Sequence, residues 1–197
     1  MEQGIIIPNN FPELFTKRLH LQNFKLDDAK ELFEIRSDKE FVKYLGTYPM
    51  KTLEEAENMI QGNIDSFNNK EGLSWKICEK GSERLIGYIG FWRINQNHFR
   101  GEIGFGIHPN YQNKGYMKEA CRAVLDYGFS FLNIHSVLAD TDSLNIASQK
   151  LLVSQGFKKE GVLRESFYFD GEFIDSVYFG LLESDFNGHA ELVSASD

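Results

Sequence analysis

A short segment between an alternating apolar stretch and a helical pattern contains the residues best suited to bind an anion. It runs Gln112-Asn113-Lys114-Gly115-Tyr116-Met117 and follows a break at Pro109. A helix opening at Gly115 would present unpaired backbone N–H groups at its N-terminus, where the helix dipole also favours negative charge. The segment therefore predicts a phosphate site, and a plain strand-to-helix turn is the alternative interpretation. It lacks the Gly-x-x-x-x-Gly-Lys-Ser/Thr order of a P-loop.

A second polar pair lies further along the chain, at the start of another helical pattern. Asn145 and Ser148 are three residues apart and therefore share one face of the predicted helix, which ends before Gly156. Asn145 is suited to hydrogen-bond a ligand or to cap its own helix. Ser148 is suited to donate a hydrogen bond to a reacting group or to allow close packing.

These two segments together resemble the GNAT acetyltransferase superfamily. Gln112-x-x-Gly115-x-Met117 is similar to the family's Gln-x-x-Gly-x-(Gly/Ala) loop, with methionine as a departure. The segment from Asn145 to Phe157 is similar to the family's Asn-x-x-Ser/Ala…Gly-Phe helix. Residues 16–21 and 175–182 also resemble the branch that contains ribosomal-protein N-terminal acetyltransferases, so the similarity covers roughly residues 16–183.

The resemblance implies acetyl-CoA as the acyl donor, held in a cleft between two splayed strands, and no metal. It assigns phosphate binding to the Gln112–Met117 loop and pantetheine binding to Asn145. It also implies that the backbone of Phe105, Gly106 and Ile107 pairs with the pantetheine arm. A glycine within a strand often marks a β-bulge, so we expect one near Gly104 or Gly106.

The resemblance also implies how the chemistry proceeds. We expect direct attack of an amine in a ternary complex, without a covalent enzyme intermediate. Ser148 would donate a hydrogen bond to the departing thiolate, because Leu152 stands where many relatives have a tyrosine. Glu102 is the first candidate for accepting the amine proton through water, and Glu165 is the second.

The acceptor is predicted less specifically than the donor. The ribosomal-protein branch favours a protein N-terminal amine, whose pKa of about 8 makes deprotonation easier than for a lysine at about 10.4. A polyamine or antibiotic acetyltransferase is the alternative within the enzyme class. A non-catalytic acyl-CoA-binding module is the alternative outside it.

The elements that must position these residues form an α+β pattern. A strand near residues 18–24 and two helices precede a three-strand meander, and then come a helix, a strand, a helix and two or three strands. The second helix is expected to begin at a Thr52 cap, and Asp170-Gly171 is expected to form a hairpin turn between the last strands. We expect one mixed, mostly antiparallel sheet of about six or seven strands flanked by about four helices. Residues 1–183 would form a single domain, and residues 184–197 a loosely ordered tail.

Composition excludes several other classes of protein. The formal net charge of −8 opposes binding to nucleic acid, whose phosphates need a basic surface. No apolar run reaches the ~18 residues that a membrane-spanning helix requires. Two cysteines are too few for a disulfide framework, so we expect a cytoplasmic protein. The sequence leaves open whether it is a monomer or a homodimer.

Overall fold

The computed structural model describes residues 4–186 of the 197-residue chain. Within this range one sheet contains eight strands: β1 (Leu14–Phe15), β2 (Leu19–Gln22), β3 (Leu73–Glu79), β4 (Gly87–Asn95), β5 (Arg100–Ile107), β6 (Ser136–Asp142), β7 (Lys158–Phe169) and β8 (Glu172–Leu182). The helices are α1 (Ala29–Arg36), α2 (Lys39–Val42), α3 (Leu53–Asn68), α4 (Tyr116–Ser130) and α5 (Ile146–Ser154), and residues 183–186 add a last helical turn. The predicted α+β class is confirmed, with more strands than the six or seven expected.

The sheet has the order β1-β2-β3-β4-β5-β6-β8-β7, and its neighbours are antiparallel except for β5 and β6. These two parallel strands pair only between Arg100–Glu102 and Ser136–Leu138. Beyond Glu102 they diverge, and within the described residues the rest of β5 has no strand partner on that side. The structure therefore contains the splayed strands that the sequence predicted.

Two short elements were not predicted. β1 has two residues, and α2 has four, so neither is long enough to show a period. α2 begins at a cap, because the Asp38 carboxylate accepts hydrogen bonds from the N–H groups of Glu40 and Phe41. By contrast, α3 begins at the predicted Thr52 cap, and Gly156 has the left-handed φ of 94° expected after α5.

The sheet is covered on both faces. α4 packs on one face over a hydrophobic cluster from the central strands, with members that include Trp75, Ile89, Phe91 and Val124. α1, α2 and α3 contribute to a second cluster that includes Leu32, Phe41 and Ile60. The sequence alternates accordingly along the strands, so that successive residues belong to opposite faces.

The predicted bulge near Gly104 or Gly106 is wrong in its position. β4 carries the irregularity instead: Phe91 pairs with Ile103 and Arg93 pairs with Glu102, so Trp92 is the extra residue. Glycine is required in β5 for a different reason. A Cβ at Gly104 would lie 3.2 Å from the Trp92 ring, and a Cβ at Gly106 would lie 2.6 Å from the Phe41 ring. They are small because aromatic rings lie over them.

β7 and β8 form a hairpin at the edge of the sheet. Its turn is Asp170-Gly171, as predicted, and both residues have positive φ. β7 is one strand rather than two, and its pairing shifts between Lys159 and Gly161 and again between Leu163 and Phe167. The predicted tail lies mostly outside the described residues, and within them Phe186 is buried. No helix in the described part of the chain is long and apolar enough to cross a membrane.

Candidate active site

A cleft of about 480 Å³ opens where β5 diverges from β6. Its walls come from β5, the loop before α4, the first turn of α4, α5 and the segment that contains α2. The residues around it are Glu40, Phe41, Lys43, Tyr44, Leu45, Phe105, Gly106, Ile107, Pro109, Tyr111, Gln112, Asn113, Gly115, Tyr116, Met117, Lys118, Asn145, Ala147, Ser148 and Leu151. Most of the site residues predicted from sequence therefore lie around one cavity.

The loop at the start of α4 has the geometry of an anion site. Gly115 caps the helix with a φ of 76°, and Asn113 also has positive φ, at 60°. The Gly115 cap is made without a side-chain hydrogen bond, and the first N–H groups of α4 have no acceptor within the helix. Those donors lie beside the cleft, together with the positive end of the helix dipole.

Arg18, at the start of β2, fixes the position of this loop. Its Nη1 donates to the carbonyl oxygen of Lys114 at 2.9 Å, and its guanidinium lies 4.5 Å from the Tyr116 ring centroid. Its Nε contacts Glu119 Oε2 at 2.6 Å, and Thr16 donates to the other oxygen of Glu119 at 2.6 Å. Lys114 is not among the cleft residues: its carbonyl oxygen accepts from Arg18, and its Nζ lies 5.2 Å from the Tyr111 ring centroid.

This anchor makes a prediction about acid stability. Burial raises the pKa of Glu119, but hydrogen bonds from Thr16 and Arg18 outweigh it and lower the net pKa below its usual range. A carboxyl with a lowered folded-state pKa adds stability above its unfolded pKa of about 4.3, and this is lost as pH falls through the folded value. We expect Glu119→Gln to lower the melting temperature at pH 7 and the deficit to shrink below about pH 4.

Thermal unfolding of both proteins from pH 7 to pH 3 measures this difference. Glu31→Gln is a suitable control, since Glu31 lies in α1 and no hydrogen bond or ion pair is described for it in residues 4–186. A deficit that stayed constant over the whole pH range would contradict the assignment.

Asn145 and Ser148 face the cleft from α5. The Oδ1 atom of Asn145 accepts a hydrogen bond from the Ser148 N–H at 3.0 Å, so this side chain caps its helix. Capping uses only the oxygen, and the amide nitrogen can still donate to a ligand. The structural and the ligand-binding interpretations of Asn145 are therefore compatible.

Glu102 lies outside the list of cleft residues, at the last point where β5 pairs with β6. Its side chain is 19% exposed, and its Oε1 is 3.6 Å from Arg93 Nη1. Residues two apart on a strand share a face, so Glu102 lies on the face of β5 that also carries Gly104 and Gly106. The side chain therefore lies on the face where Trp92 and Phe41 cover these glycines, four residues along β5 from Gly106 of the cleft.

Two further polar side chains share that face and were not predicted. Asp140 on β6 pairs directly with Tyr178 on β8, two residues beyond the Leu138 that pairs with Glu102. Burial raises the pKa of Asp140, and the negative charge of Glu102 adds to this, against hydrogen bonds from Tyr178 and Ser176. These side chains come together only through the order of the strands in the sheet, and no local sequence pattern predicts that order.

The second predicted base, Glu165, lies elsewhere. It is exposed in the second irregularity of β7, with a φ of 51°, and its N–H donates to Asp175 Oδ1 at 2.8 Å. Glu165 therefore belongs to the irregular part of β7, and it is not among the residues around the cleft. Among residues 4–186, no three His, Cys, Asp or Glu side chains come together as a metal site.

Two segments far apart in sequence meet at the turn of the β7–β8 hairpin, and we call their contact the 46–170 bridge. The Tyr48 hydroxyl donates to Asp170 Oδ1 at 3.1 Å, and the Tyr48 ring lies 4.7 Å from that of Phe169. Gly46 has a φ of 60°, and a Cβ there would overlap the Phe167 ring. The bridge joins the segment after α2 to the β7–β8 hairpin.

The cleft combines features that suit a long, phosphate-bearing thioester. Its volume lies within the ~300–1,000 Å³ typical of ligand sites, one end has free N–H donors, and one wall is an unpaired strand edge. Such an edge can pair with the peptide-like pantetheine arm. The residues present therefore fit coenzyme A.

Comparison with known proteins gives the family. Residues 18–158 match the Acetyltransferase (GNAT) domain, and the chain belongs to this family of N-acetyltransferases. It is 36% identical over 173 residues to the uncharacterized N-acetyltransferase YoaA of Bacillus subtilis, covering 88% of this chain and 98% of the relative. The chain is therefore an N-acetyltransferase, of a family that uses acetyl-CoA.

Other similar proteins carry different acceptors in their names. The spermidine N(1)-acetyltransferase of Vibrio cholerae is 25% identical, covering 88% of this chain and 98% of that protein. YdaF of Bacillus subtilis, named as a candidate ribosomal N-acetyltransferase, is 31% identical over 82% of this chain and 89% of its own length. A GNAT acetyltransferase structure from Bacillus anthracis superposes with a TM-score of 0.78 at 27% identity, covering 88% of this chain and 99% of that one.

Proposed function

We propose that the enzyme acetylates the α-amine at the N-terminus of a protein, with acetyl-CoA as donor. The observation that carries the choice of acceptor is the group of exposed aromatic side chains beside Glu102 and at the 46–170 bridge. Trp92 is 52% exposed, Tyr48 57% and Phe167 42%. Exposed apolar groups of this size suit a peptide chain better than a small hydrophilic amine.

The cleft residues account for donor binding. When bound, acetyl-CoA supplies an acetyl group activated as a thioester. The N–H groups from Asn113 to Met117 would hold its phosphates, and the backbone of Phe105, Gly106 and Ile107 would pair with its pantetheine arm. The Asn145 amide nitrogen would donate from the opposite wall.

Glu102 is the proposed acceptor of the amine proton. Its carboxylate is partly exposed on the face of β5 that leads to Gly106, so water would connect it to an amine entering from the aromatic side. Ser148 lies on the opposite wall and would donate a hydrogen bond to the leaving sulfur.

Thiol release in the presence of acetyl-CoA tests the acceptor. The panel contains peptides with free N-termini, the same peptides with blocked N-termini, polyamines and aminoglycosides. We expect turnover with free N-termini and none with blocked ones, and mass spectrometry should place the acetyl group on the α-nitrogen. Turnover only with polyamines or aminoglycosides would overturn the proposal, and binding without any turnover would favour a non-catalytic module.

A polyamine is the second candidate acceptor. Asp140 and Glu102 place two carboxylates on one face of the sheet, and carboxylates bind cationic amines. The similarity to a spermidine acetyltransferase favours the same interpretation. Asp140→Asn discriminates the candidates, because it should raise the KM for a polyamine far more than the KM for a peptide.

Replacement of Ser148 should slow the reaction. A hydrogen bond to a charged group is worth about 1.5–3 kcal/mol, so we expect Ser148→Ala to lower kcat by about tenfold or more. Ser154→Ala is a matched control, because Ser154 is in the same helix and its hydroxyl donates to the backbone carbonyl of Leu151. An unchanged kcat in a folded Ser148→Ala enzyme would remove Ser148 from the chemistry.

A further inference from the structure

One aromatic ring limits the cleft on the α2 side. Phe41 is 9% exposed and lies around the cleft together with Phe105, Gly106 and Ile107. A Cβ built at Gly106 would be 2.6 Å from Phe41 Cζ, so the ring occupies the space that a larger residue in β5 would need. At this point the width of the cleft is therefore set by a side chain from another element.

The Phe41 ring is held from several directions. The Asp38 carboxylate accepts from the Phe41 N–H at 3.1 Å, which fixes the first turn of α2. The ring packs edge-on against Tyr88, with 6.2 Å between centroids, and the Tyr88 hydroxyl accepts a hydrogen bond from Arg36 Nη1 at 2.9 Å. The ring therefore projects from an anchored helical turn and packs against a Tyr88 ring that is itself held by Arg36, so it acts as a fixed wall.

The position of the wall relates it to the acyl end of the donor. The phosphate loop follows Ile107, and Phe105 and Gly106 are the β5 residues around the cleft that lie furthest from that loop, so a ligand held at Gly115 and extended along β5 would end beside them. Phe41 covers Gly106 on the face of β5 that also carries Glu102. The ring is therefore on the side of the strand from which the acceptor would approach the acyl group.

We propose that Phe41 restricts the donor to short acyl chains, and this inference rests on the proposed use of acetyl-CoA. A longer acyl group would have to displace a buried ring, whereas an acetyl group would not. In hydrophobic pockets, one methylene changes discrimination by about 10–200-fold. Removing the ring should therefore relax the preference for acetyl over longer acyl groups.

The test compares wild type, Phe41→Ala, Phe41→Leu and the control Phe33→Ala. Phe33 belongs to the same hydrophobic cluster but is not among the cleft residues, so it controls for a general loss of packing. Calorimetry gives the Kd of acetyl-, propionyl- and butyryl-CoA for each protein, and kcat/KM with each donor is the second readout. We expect the butyryl-to-acetyl Kd ratio to fall about tenfold in Phe41→Ala, less in Phe41→Leu and not at all in Phe33→Ala.

The outcomes separate this inference from the function on which it rests. A wild-type protein that binds none of the three thioesters would overturn the use of acetyl-CoA itself. A wild-type protein that binds acetyl-CoA, with the same donor ratio in both Phe41 variants, would overturn the role of Phe41 alone. If Phe41→Ala does not fold, Phe41→Leu decides, since leucine keeps an apolar side chain in the cluster.

Discussion

Replacing Lys76 by methionine should lower the free energy of unfolding by about 3–5 kcal/mol, because it leaves a buried carboxylate without its counter-charge. Lys76 Nζ lies 2.7 Å from Asp28 Oδ1, and the two side chains are 1% and 9% exposed. The other oxygen of Asp28 accepts the Lys25 N–H at 2.7 Å. This hydrogen bond stabilises the turn before α1. Loss of the Lys76 ammonium would therefore disturb that turn as well as β3.

A double-mutant cycle in urea measures the coupling. Asp28→Asn keeps the acceptor for the Lys25 N–H but removes the charge, and it should also destabilise the protein by stranding the ammonium of Lys76. The double variant Lys76→Met, Asp28→Asn buries no charge, so we expect it to be more stable than either single variant. Additive losses would show that the two side chains are not energetically coupled.

Changing Asn113 to aspartate should weaken acetyl-CoA binding by about 10–100-fold. The change alters few atoms, and both residues tolerate the left-handed backbone found at this position. It adds a negative charge beside the proposed phosphates, and two unit charges 4 Å apart near a protein surface interact by about 4 kcal/mol before screening by salt. Binding should therefore weaken while the fold is unchanged.

Asn110→Asp is the matched control, since it makes the same chemical change three residues earlier, outside the list of cleft residues. Calorimetry at two salt concentrations should show a larger defect for Asn113→Asp, and that defect should shrink at high salt. Equal affinities for Asn113→Asp and wild type would place the phosphates elsewhere. Equal losses in the two variants would indicate a long-range charge effect.

The parts of the molecule that were predictable have local causes. Thr52 marks the start of α3, Gly115 marks the start of α4, and Asp170-Gly171 marks the hairpin, because caps and turns require particular residues at particular positions. The predicted phosphate loop and the pair on α5 were found for the same reason. Each belongs to an element whose beginning is visible in the sequence.

What could not be predicted depends on contacts between distant segments. Phe41 enters the cleft from a helix too short to have a period, and Asp140 joins Glu102 only because β6 lies beside β5. The bulge was predicted in the wrong strand because the glycines of β5 were attributed to a backbone irregularity. They instead leave room for aromatic rings from β4 and α2, which only the folded structure shows.

The edge of the sheet has a consequence for behaviour at high concentration. A twelve-residue edge strand such as β7 offers unpaired backbone groups on which another chain could add a strand and start a fibre. Here the strand is interrupted twice, and exposed charges, including Lys159, Glu160, Arg164 and Glu165, accompany the interruptions. Bulges twist an edge away from a flat template, and like charges repel an approaching copy in register. We therefore expect the irregular course of β7 to disfavour self-association through this edge of the sheet.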